Sequence, residues 1–372
     1  MKNRIRIIAL VCAAAMLLSG CRAAFDKEYR SEEVYVDEYF EIKDDTSVQE
    51  VKNYRGMKNA LMNLINSAAD YGKIRTEKYN GNPEDDISRV CFEVTREEPM
   101  GIYAVDYITH SINLIVSYYE IEVYITYRRT PEEIAGVVTV HSGREMQELL
   151  KKKIENFEES MAVMQVSTEI EQEQIENYIN DFYRSDPLRV IVRPQVKVTS
   201  YTAPGNNIQE ITEVELEYPY TKEHLAEMCA ELRDYSNNGV TPSSYGDIDH
   251  VCSLVLSRCA PDTDIGESDA YTALVGDGIV DSEGFAMAAK LLCNAAGIEA
   301  YVVEGMRDGA PHCWNIVNVG GDLYHIDLFT AAGEGGAAVF LSDADAEKRY
   351  SWDREFYPAC GDDAAGNKDT NQ

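Results

Sequence analysis

The clearest periodic pattern of the chain lies at residues 208–218 (IQEITEVELEY), where valine, leucine and tyrosine alternate with glutamates. A period of two with one charged face predicts an antiparallel strand that is exposed on one side. This strand follows a first one at 196–201 (VKVTSY), and a similar pair of strands is predicted at 112–127 (INLIVSYYEIEVYITY). Each strand pair runs into a related segment, YRRTPEEI at 127–134 and YPYTKEHL at 218–225. The similarity of these two segments predicts an internal repeat.

Upstream of each strand pair, the pattern of apolar residues predicts a helix, a short strand and a second helix. This shared order predicts two tandem αβαββ modules, the first at 54–135 and the second at 142–225. Repeated modules of this kind serve as spacers or binding platforms more often than as catalysts. The alternative, a chance similarity of two β-hairpins, stays open at this point.

The segments that flank the repeat differ in character. Residues 21–53 are acidic and rich in tyrosine, without a clear apolar period, and predict an extended tether. Residues 361–372 are polar and predict a disordered tail. After the second module the apolar stripes of 222–235 and 247–260 recur at i, i+3, i+4 and i+7, which predicts two amphipathic helices that lead into a C-terminal domain.

Three segments of that domain carry candidate chemistry: VDSEGFAMAAKLL at 280–292, PHCWNIVNV at 311–319 and DLYHIDLF at 322–329. Together they resemble the transglutaminase-like domain of the papain-like fold. In that family a nucleophilic cysteine precedes Glu-Gly-aromatic-Ala at a helix start, a histidine precedes x-Trp-Asn, and an aspartate ends Tyr-His-x-Asp. The resemblance implies an α+β chain with a papain-like transglutaminase-type domain at 226–360, preceded by the two modules.

Carried over residue by residue, the resemblance places Ser282, His312 and Asp327 at the catalytic positions, so that a serine stands where the family has its cysteine. The residues expected to line the substrate cleft are Trp314, Glu283 and Tyr271. Counting from a different point would put Asp281 at the nucleophile position, but the Glu-Gly-Phe-Ala segment favours Ser282.

The predicted elements suit nucleophilic chemistry. Residue 282 begins a helix that Gly297 stops, and a helix N-terminus stabilises an anion and lowers the pKa of a thiol. His312 and Asp327 lie on strands joined by a hairpin at 320–322, so the carboxylate can fix the tautomer of the imidazole. Two cysteines are nearby in sequence, but neither is predicted to replace the missing thiol. They are Cys313, on the opposite face of its strand, and Cys293, about 16 Å along the helix.

A serine at this position leaves three interpretations open. A hydroxyl is far more basic than a thiol and needs a general base at hydrogen-bond distance. The first interpretation is a catalytically silent or weakened domain that binds peptides or cell-envelope components. The second is an active Ser-His-Asp acyl-transfer enzyme that acts on peptide amide bonds. In the third, the tandem modules carry the function and the C-terminal domain supports them.

The N-terminus predicts export. Three basic residues precede an apolar run at 7–19 that is too short for a stable membrane anchor. The run ends in LSGC, which resembles a bacterial lipobox and implies that the signal peptide 1–20 is removed and that Cys21 is lipidated. The chain would then be extracytoplasmic, anchored to the bacterial cell membrane by acyl chains. An ordinary secretory signal with an incidental cysteine is the alternative.

The composition of the chain excludes several classes of binding partner. The formal net charge of −31 argues against binding to nucleic acid and against electrostatic adhesion to anionic lipid. The nine cysteines include no CxxC pair, so no metal site is predicted, and an odd number remains after the two at the N-terminus. No cofactor is predicted. The expected partners are a peptide or protein ligand in the envelope and, through the N-terminal lipid, the membrane.

Overall fold

The computed structural model describes residues 48–166, 170–204, 209–241, 244–266 and 268–361. The predicted signal peptide, Cys21, most of the predicted tether and all but the first residue of the predicted tail lie outside these ranges. The described part has the mixed α and β architecture that the sequence predicts. None of its helices has both the length and the apolar character that crossing a bilayer requires.

The first module is a four-stranded sheet with helices packed against it. The strand order is β1-β2-β4-β3, and β4 is antiparallel to β2 and β3. In chain order the elements are β1 (Val48–Asn53), α1 (Tyr54–Asn66), β2 (Tyr71–Asn80), α2 (Pro83–Glu97), α3 (Pro99–Ala104), β3 (Val105–Ile115), β4 (Tyr118–Tyr127) and α4 (Pro131–Ala135).

The second module repeats this strand order as β5-β6-β8-β7. Strand β5 is parallel to β6, whereas β8 is antiparallel to both of its neighbours. The elements are β5 (Val138–Val140), α5 (Gly143–Glu155), β6 (Ser160–Val166), α6 (Gln172–Ser185), β7 (Gln195–Thr202) and β8 (Gln209–Glu217). The matching order of the two sheets agrees with the predicted repeat.

Both modules begin with a strand that the sequence prediction missed, so their shared order is βαβαββ rather than αβαββ. The prediction that the tether runs to residue 53 is wrong at its end, because residues 48–53 form β1. In β1 only Val51 is buried, so the strand has no visible alternation. Strand β5 has three residues, which is too short for a periodic pattern.

The two related segments that revealed the repeat both begin a helix with a threonine cap. Thr130 Oγ1 accepts a hydrogen bond from the backbone N–H of Glu133 at 3.2 Å, and Thr221 Oγ1 accepts one from that of His224 at 3.3 Å. Threonine is a favoured N-cap because its hydroxyl satisfies an N–H that has no partner within the helix. The helices then diverge: α4 has five residues, whereas α7 (Lys222–Gly239) has eighteen.

A largely buried ionic cluster connects the two modules. Arg129, which follows β4, donates to Tyr201 Oη at 2.7 Å and to Glu213 Oε2 at 2.5 Å on the second sheet. The Arg129 guanidinium also lies 4.7 Å from the ring centroid of Tyr103 in α3. Glu213 is 7% exposed, so its charge depends on this arginine for compensation.

The C-terminal domain surrounds a third sheet, antiparallel throughout and ordered β13-β12-β11-β14. After α7 its elements are α8 (Ile248–Arg258), β9 (Ala260–Pro261), α9 (Ala270–Leu274), β10 (Ile279–Val280), α10 (Ser282–Ala295), β11 (Ala300–Arg307), β12 (Ala310–Val319), β13 (Asp322–Ile326), α11 (Leu328–Gly333), α12 (Asp343–Ala346) and β14 (Tyr350–Trp352). Strands β9 and β10 form a short parallel pair.

Helix α10 is the centre of this domain. It is buried on nearly every side, as expected for a helix whose apolar residues surround it, and it packs against α8 and the third sheet. The same hydrophobic core continues into the helices of the second module. Strands β12 and β13 are joined by Gly320 and Gly321, both with positive φ (65° and 106°), as a tight two-residue hairpin requires.

Candidate functional site

Helix α10 presents Ser282 as its first residue. Asp281 provides the N-cap, since its carboxylate accepts a hydrogen bond from the N–H of Gly284 at 3.0 Å. Close packing requires a glycine at position 284, in the Glu-Gly-Phe-Ala segment. A Cβ there would lie 2.6 Å from Cβ of Val280 and 2.9 Å from Cβ of Ser268. This close packing fixes the position of the helix start, and with it the position of Ser282.

The hydroxyl of Ser282 binds a backbone amide of β12. Cys313 N–H donates to Ser282 Oγ at 3.2 Å. The pairing of β12 with β13 stops at Asn315 and Ile326, so the N–H of Cys313 lies beyond the ladder and the serine takes the place of a strand partner. Within the described part of the chain, no hydrogen bond joins Ser282 to His312.

His312 and Asp327 form a direct pair. His312 Nε2 lies 2.7 Å from Asp327 Oδ2, and both side chains are more than nine-tenths buried. Asp327 follows β13 and caps α11, accepting a hydrogen bond from the N–H of Thr330 at 2.9 Å. The prediction that Asp327 lies on a strand is therefore wrong, because β13 ends at Ile326 and this cap turns the chain into a helix.

Asp327 is held as a carboxylate. Burial would raise the pKa of this group, but hydrogen bonds from His312 and Thr330 outweigh burial, so the pKa lies below its usual value. The Thr330 hydroxyl donates to Oδ2 at 2.6 Å and the Tyr350 hydroxyl at 2.8 Å. Because Asp327 accepts from Nε2, the proton of a neutral His312 lies on Nε2 and the lone pair on Nδ1. No described residue hydrogen-bonds that Nδ1.

Three residues of this network were missed by sequence reasoning. Thr330 is three residues after Asp327, which is the spacing of an N-cap with its N3 residue and could have been found as such. Tyr350 reaches the site from β14, and Arg307 from β11 places its Nε 3.9 Å from Asp327 Oδ2. Burial raises the pKa of Tyr350 to about 12, so that its hydroxyl stays a donor. The positions of Tyr350 and Arg307 depend on strand pairing that no local sequence pattern reveals.

Trp314 lies in the core beside the histidine. It is 2% exposed and packs beside His312, with ring centroids 6.3 Å apart. Its indole Nε1 donates to His325 Nδ1 at 2.9 Å, and His325 Nε2 lies 2.9 Å from Asp343 Oδ1. A second histidine–aspartate pair is thus buried beneath the first, where Trp314 connects the two layers.

His325, Asp343 and Cys360 lie close enough to share a metal ion, with ligand atoms within 4.8 Å of one another. The tautomer of His325 opposes that function. Its Nδ1 accepts from Trp314, so its proton lies on Nε2 and is donated to Asp343. A metal on Nε2 would move the proton to Nδ1, against the indole N–H. Burial also lowers the pKa of His325, which keeps it neutral, so the cluster acts as a structural hydrogen-bond network.

Glu283 and Tyr271, the other residues expected in the cleft, are engaged in contacts between elements. Glu283 is 6% exposed and forms an ion pair with Arg193 of the second module, so the structure places it in an interior contact and not on a cleft wall. Tyr271 in α9 is partly exposed, and its hydroxyl donates to Glu231 Oε2 of α7 at 2.5 Å. Both residues position the helices around Ser282.

The neighbouring cysteines are unsuited to replace the missing thiol. Cys313 alternates with His312 along β12 and packs with the core around α10, and burial raises the pKa of its thiol to about 12. Cys293 is fully buried in α10, and burial raises the pKa of its thiol to about 12 as well. All seven cysteines of the described ranges are free thiols.

Two surface clefts lie away from these residues. One of about 730 Å³ lies between α6 and β11, and another of about 760 Å³ lies between α7 and the end of α10. Neither is lined by Ser282, His312 or Asp327. Ser282 itself is partly exposed, whereas His312 is 9% exposed. The serine is therefore reached from the surface, and the histidine lies behind it in the interior.

No protein-family model and no curated protein matches the sequence. Among solved structures the chain is similar to a TGase, with 14% identity and a TM-score of 0.26, over 55% of this chain and 60% of that one. It is also similar to a candidate cysteine protease from Cytophaga hutchinsonii, with 11% identity and a TM-score of 0.24, over 41% and 68% of the two chains.

A third similar structure is calcium-bound LapG from Legionella pneumophila, with 14% identity and a TM-score of 0.25, over 41% of this chain and 92% of that one. The chain spans three fifths of the TGase chain.

Proposed function

We propose that this chain is an exported, membrane-anchored lipoprotein whose C-terminal domain binds peptides or cell-envelope components without turning them over. The observation that carries the proposal is the hydrogen bond of Ser282. Its hydroxyl accepts from Cys313 N–H at 3.2 Å, and no hydrogen bond connects it to His312 among the described residues. A serine without a base is a weak nucleophile at neutral pH.

Anchoring rests on the N-terminal sequence. The basic start, the short apolar run and the LSGC segment support lipidation of Cys21, and the acidic surface supports a place in solvent outside the cytoplasm. The ligand class follows from the site. A helix N-terminus, a partly exposed hydroxyl and the edge of β12 that β13 leaves unpaired offer donors and acceptors suited to the carbonyl and amide groups of a peptide.

The second candidate is a Ser-His-Asp acyl-transfer enzyme acting on peptide amide bonds, and one observation favours it. The His312–Asp327 pair is complete, and Nδ1 of His312 is left as an acceptor without a hydrogen bond from any described residue. In that mechanism Ser282 Oγ attacks the carbonyl carbon, and its proton passes to His312 Nδ1. The same proton then goes to the leaving amine as the C–N bond breaks, and water releases the acyl group from the serine.

Two measurements on the same protein separate the candidates. The native chain and Ser282→Ala are treated with a fluorophosphonate probe, and their binding to fluorescent casein-derived peptides is followed by anisotropy. Under the proposed function neither protein is labelled, no peptide is hydrolysed or transamidated, and both bind peptide. Labelling or turnover that disappears in Ser282→Ala and His312→Ala would establish the second candidate and remove the first. Absence of peptide binding together with absence of turnover would contradict both.

A further inference from the structure

The hairpin between β3 and β4 exposes three consecutive apolar side chains. Leu114, Ile115 and Val116 are 62%, 39% and 99% exposed. The strands pair up to Ile115 and Tyr118, and the N–H of Ser117 donates to Ile115 C=O at 2.5 Å, so the turn is tight and projects from the sheet. Runs of three exposed apolar residues are avoided in soluble proteins unless they serve a function.

The backbone conformation at this turn also indicates that the apolar residues serve a function. Val116 has a φ of 53°, in the left-handed region that favours glycine and asparagine. A β-branched residue there is strained, and tight hairpin turns normally carry Asn-Gly or Asp-Gly. Strain retained at an exposed turn indicates that the side chain is needed, because a glycine would relieve the strain and leave the fold unchanged.

The repeat provides an internal comparison. The segment that joins β7 to β8 in the second module reads APGNNI at 203–208, with proline, glycine and two asparagines, the residues that turns prefer. The sequence between the two strands of the pair is therefore rich in polar and turn-forming residues in one copy and apolar in the other. The architecture of the module does not require the apolar residues of 114–116.

The surroundings of the hairpin fit an interfacial location. Residues 111–119 contain no charged side chain, in a chain with a net charge of −31. Tyr118 and Tyr119 follow the turn and are half-buried, and the guanidinium of Arg75 lies 4.8 Å from the Tyr118 ring centroid. Tyrosine and arginine beside an apolar tip are the composition found where a protein meets the headgroup region of a bilayer.

We propose that the apolar tip at 114–116 inserts into the surface of a lipid bilayer and holds the first module against the membrane. Three side chains are too few for a stable protein interface, which buries about 800 Å² on each partner. A bilayer requires apolar area and no shape complementarity. The acidic surface of the chain opposes approach to anionic lipid, so the tip prefers zwitterionic headgroups. This contact is independent of the function proposed for the C-terminal domain.

The test uses residues 22–372 without acyl groups, which retain the whole compact unit that begins at Gln49. The protein is sedimented with sucrose-loaded phosphatidylcholine vesicles, with and without phosphatidylglycerol. Wild type should bind phosphatidylcholine vesicles and bind less as phosphatidylglycerol is added. The triple variant Leu114→Ser, Ile115→Thr, Val116→Asn should lose about tenfold or more of the partition coefficient.

Two further variants guard against a folding artefact. Val116→Gly should melt at a higher temperature than wild type, because glycine accepts the positive φ. Despite this higher stability, the variant should bind vesicles several-fold more weakly than wild type does. Phe356→Ser removes an 80% exposed side chain elsewhere and should bind like wild type. Equal binding by wild type and the triple variant, or no binding by wild type, would overturn the proposal. So would a wild-type dimer in light scattering that the triple variant abolishes, since the tip would then bind a second copy.

Discussion

The backbone N–H of Cys313 donates a hydrogen bond to Oγ of Ser282 at 3.2 Å, across the gap that β13 leaves beside β12. This bond places the hydroxyl beside Cys313, the residue that follows His312, but no hydrogen bond joins it to the imidazole ring in the described part of the chain. The His312–Asp327 pair is complete on its own, and Ser282 lies outside its hydrogen bonds.

Replacing Ser282 by cysteine should create a reactive thiolate. A thiol at the N-terminus of α10 experiences the helix dipole and the neighbouring imidazole, both of which lower its pKa below the ordinary value of about 8.5. We expect Ser282→Cys to be alkylated by iodoacetamide at pH 7 faster than wild type, whose cysteines are mostly buried. The pH dependence of the rate gives the pKa of the thiol.

The matched control for this experiment is the double variant Ser282→Cys, His312→Ala. Loss of the imidazole should shift the alkylation profile to higher pH while the helix N-terminus remains. Superimposable profiles for the two variants would show that His312 does not act on residue 282. The Ser282→Ala variant, which retains Cys313 and Cys293, gives the background rate.

Removing the charge of Asp327 should weaken the fold at neutral pH. The pKa of this carboxyl is lowered on folding, so its contribution to stability is present above the unfolded value of about 3.9 and is lost as pH falls through the folded value. We expect Asp327→Asn to unfold at lower urea concentration than wild type at pH 7, with the difference narrowing below about pH 4. Asp322→Asn, at an exposed turn, should follow wild type at every pH. A difference independent of pH would contradict this account.

The hydrogen bond from Trp314 to His325 should be a measurable part of the stability of the C-terminal domain. Trp314→Phe leaves the buried Nδ1 of His325 without a donor, which costs about 1–3 kcal/mol in addition to the lost volume. Urea unfolding followed by circular dichroism measures the difference. Trp352→Phe is the control, since Trp352 is half-buried and contacts the same rings. Equal effects of the two substitutions would show that ring packing, and not the hydrogen bond, determines the loss.

Sequence reasoning was most successful where a local signal is strong. The start of α10 at residue 282, its stop at Gly297 and the hairpin at 320–322 are local patterns, and the structure confirms those elements. It also brings His312 and Asp327 together, because two strands joined by a short hairpin leave little freedom. Their catalytic roles, and that of Ser282, stay predictions.

The parts that sequence missed depend on long-range packing. Tyr350 and Arg307 reach Asp327 through the pairing of β14 with β11, which no local period encodes. The motif around Trp314 predicts a position in the cleft. The ring is buried, however, because it packs against the second histidine–aspartate pair. The strands β1 and β5 bury too few side chains to show alternation, so the pattern that identifies a strand is absent from them.

The ionic cluster between the modules should couple their stabilities. Arg129 is surrounded by Glu213, Tyr201 and the ring of Tyr103, and both charged side chains are mostly buried, with 20% and 9% of the side chain exposed. Removing one charge leaves the other mostly buried with less compensation, so each single substitution is costly. In a double-mutant cycle of Arg129→Met and Glu213→Gln, we expect a coupling energy of about 1–3 kcal/mol from urea unfolding.

The control for this cycle is the pair Arg144 and Glu148, which are four residues apart on α5 and 86% and 67% exposed. Exposed pairs gain little because water screens them, so the cycle of Arg144→Met and Glu148→Gln should show no measurable coupling. If the two cycles give the same result, the cluster at Arg129 contributes no more than a surface contact. Hydrogen exchange adds an independent measure. Arg129→Met should speed the exchange of amides in β7 and β8, where Tyr201 and Glu213 lie, while amides of β12 stay protected. The difference is expected because the cluster connects the first sheet to the second and does not reach the third.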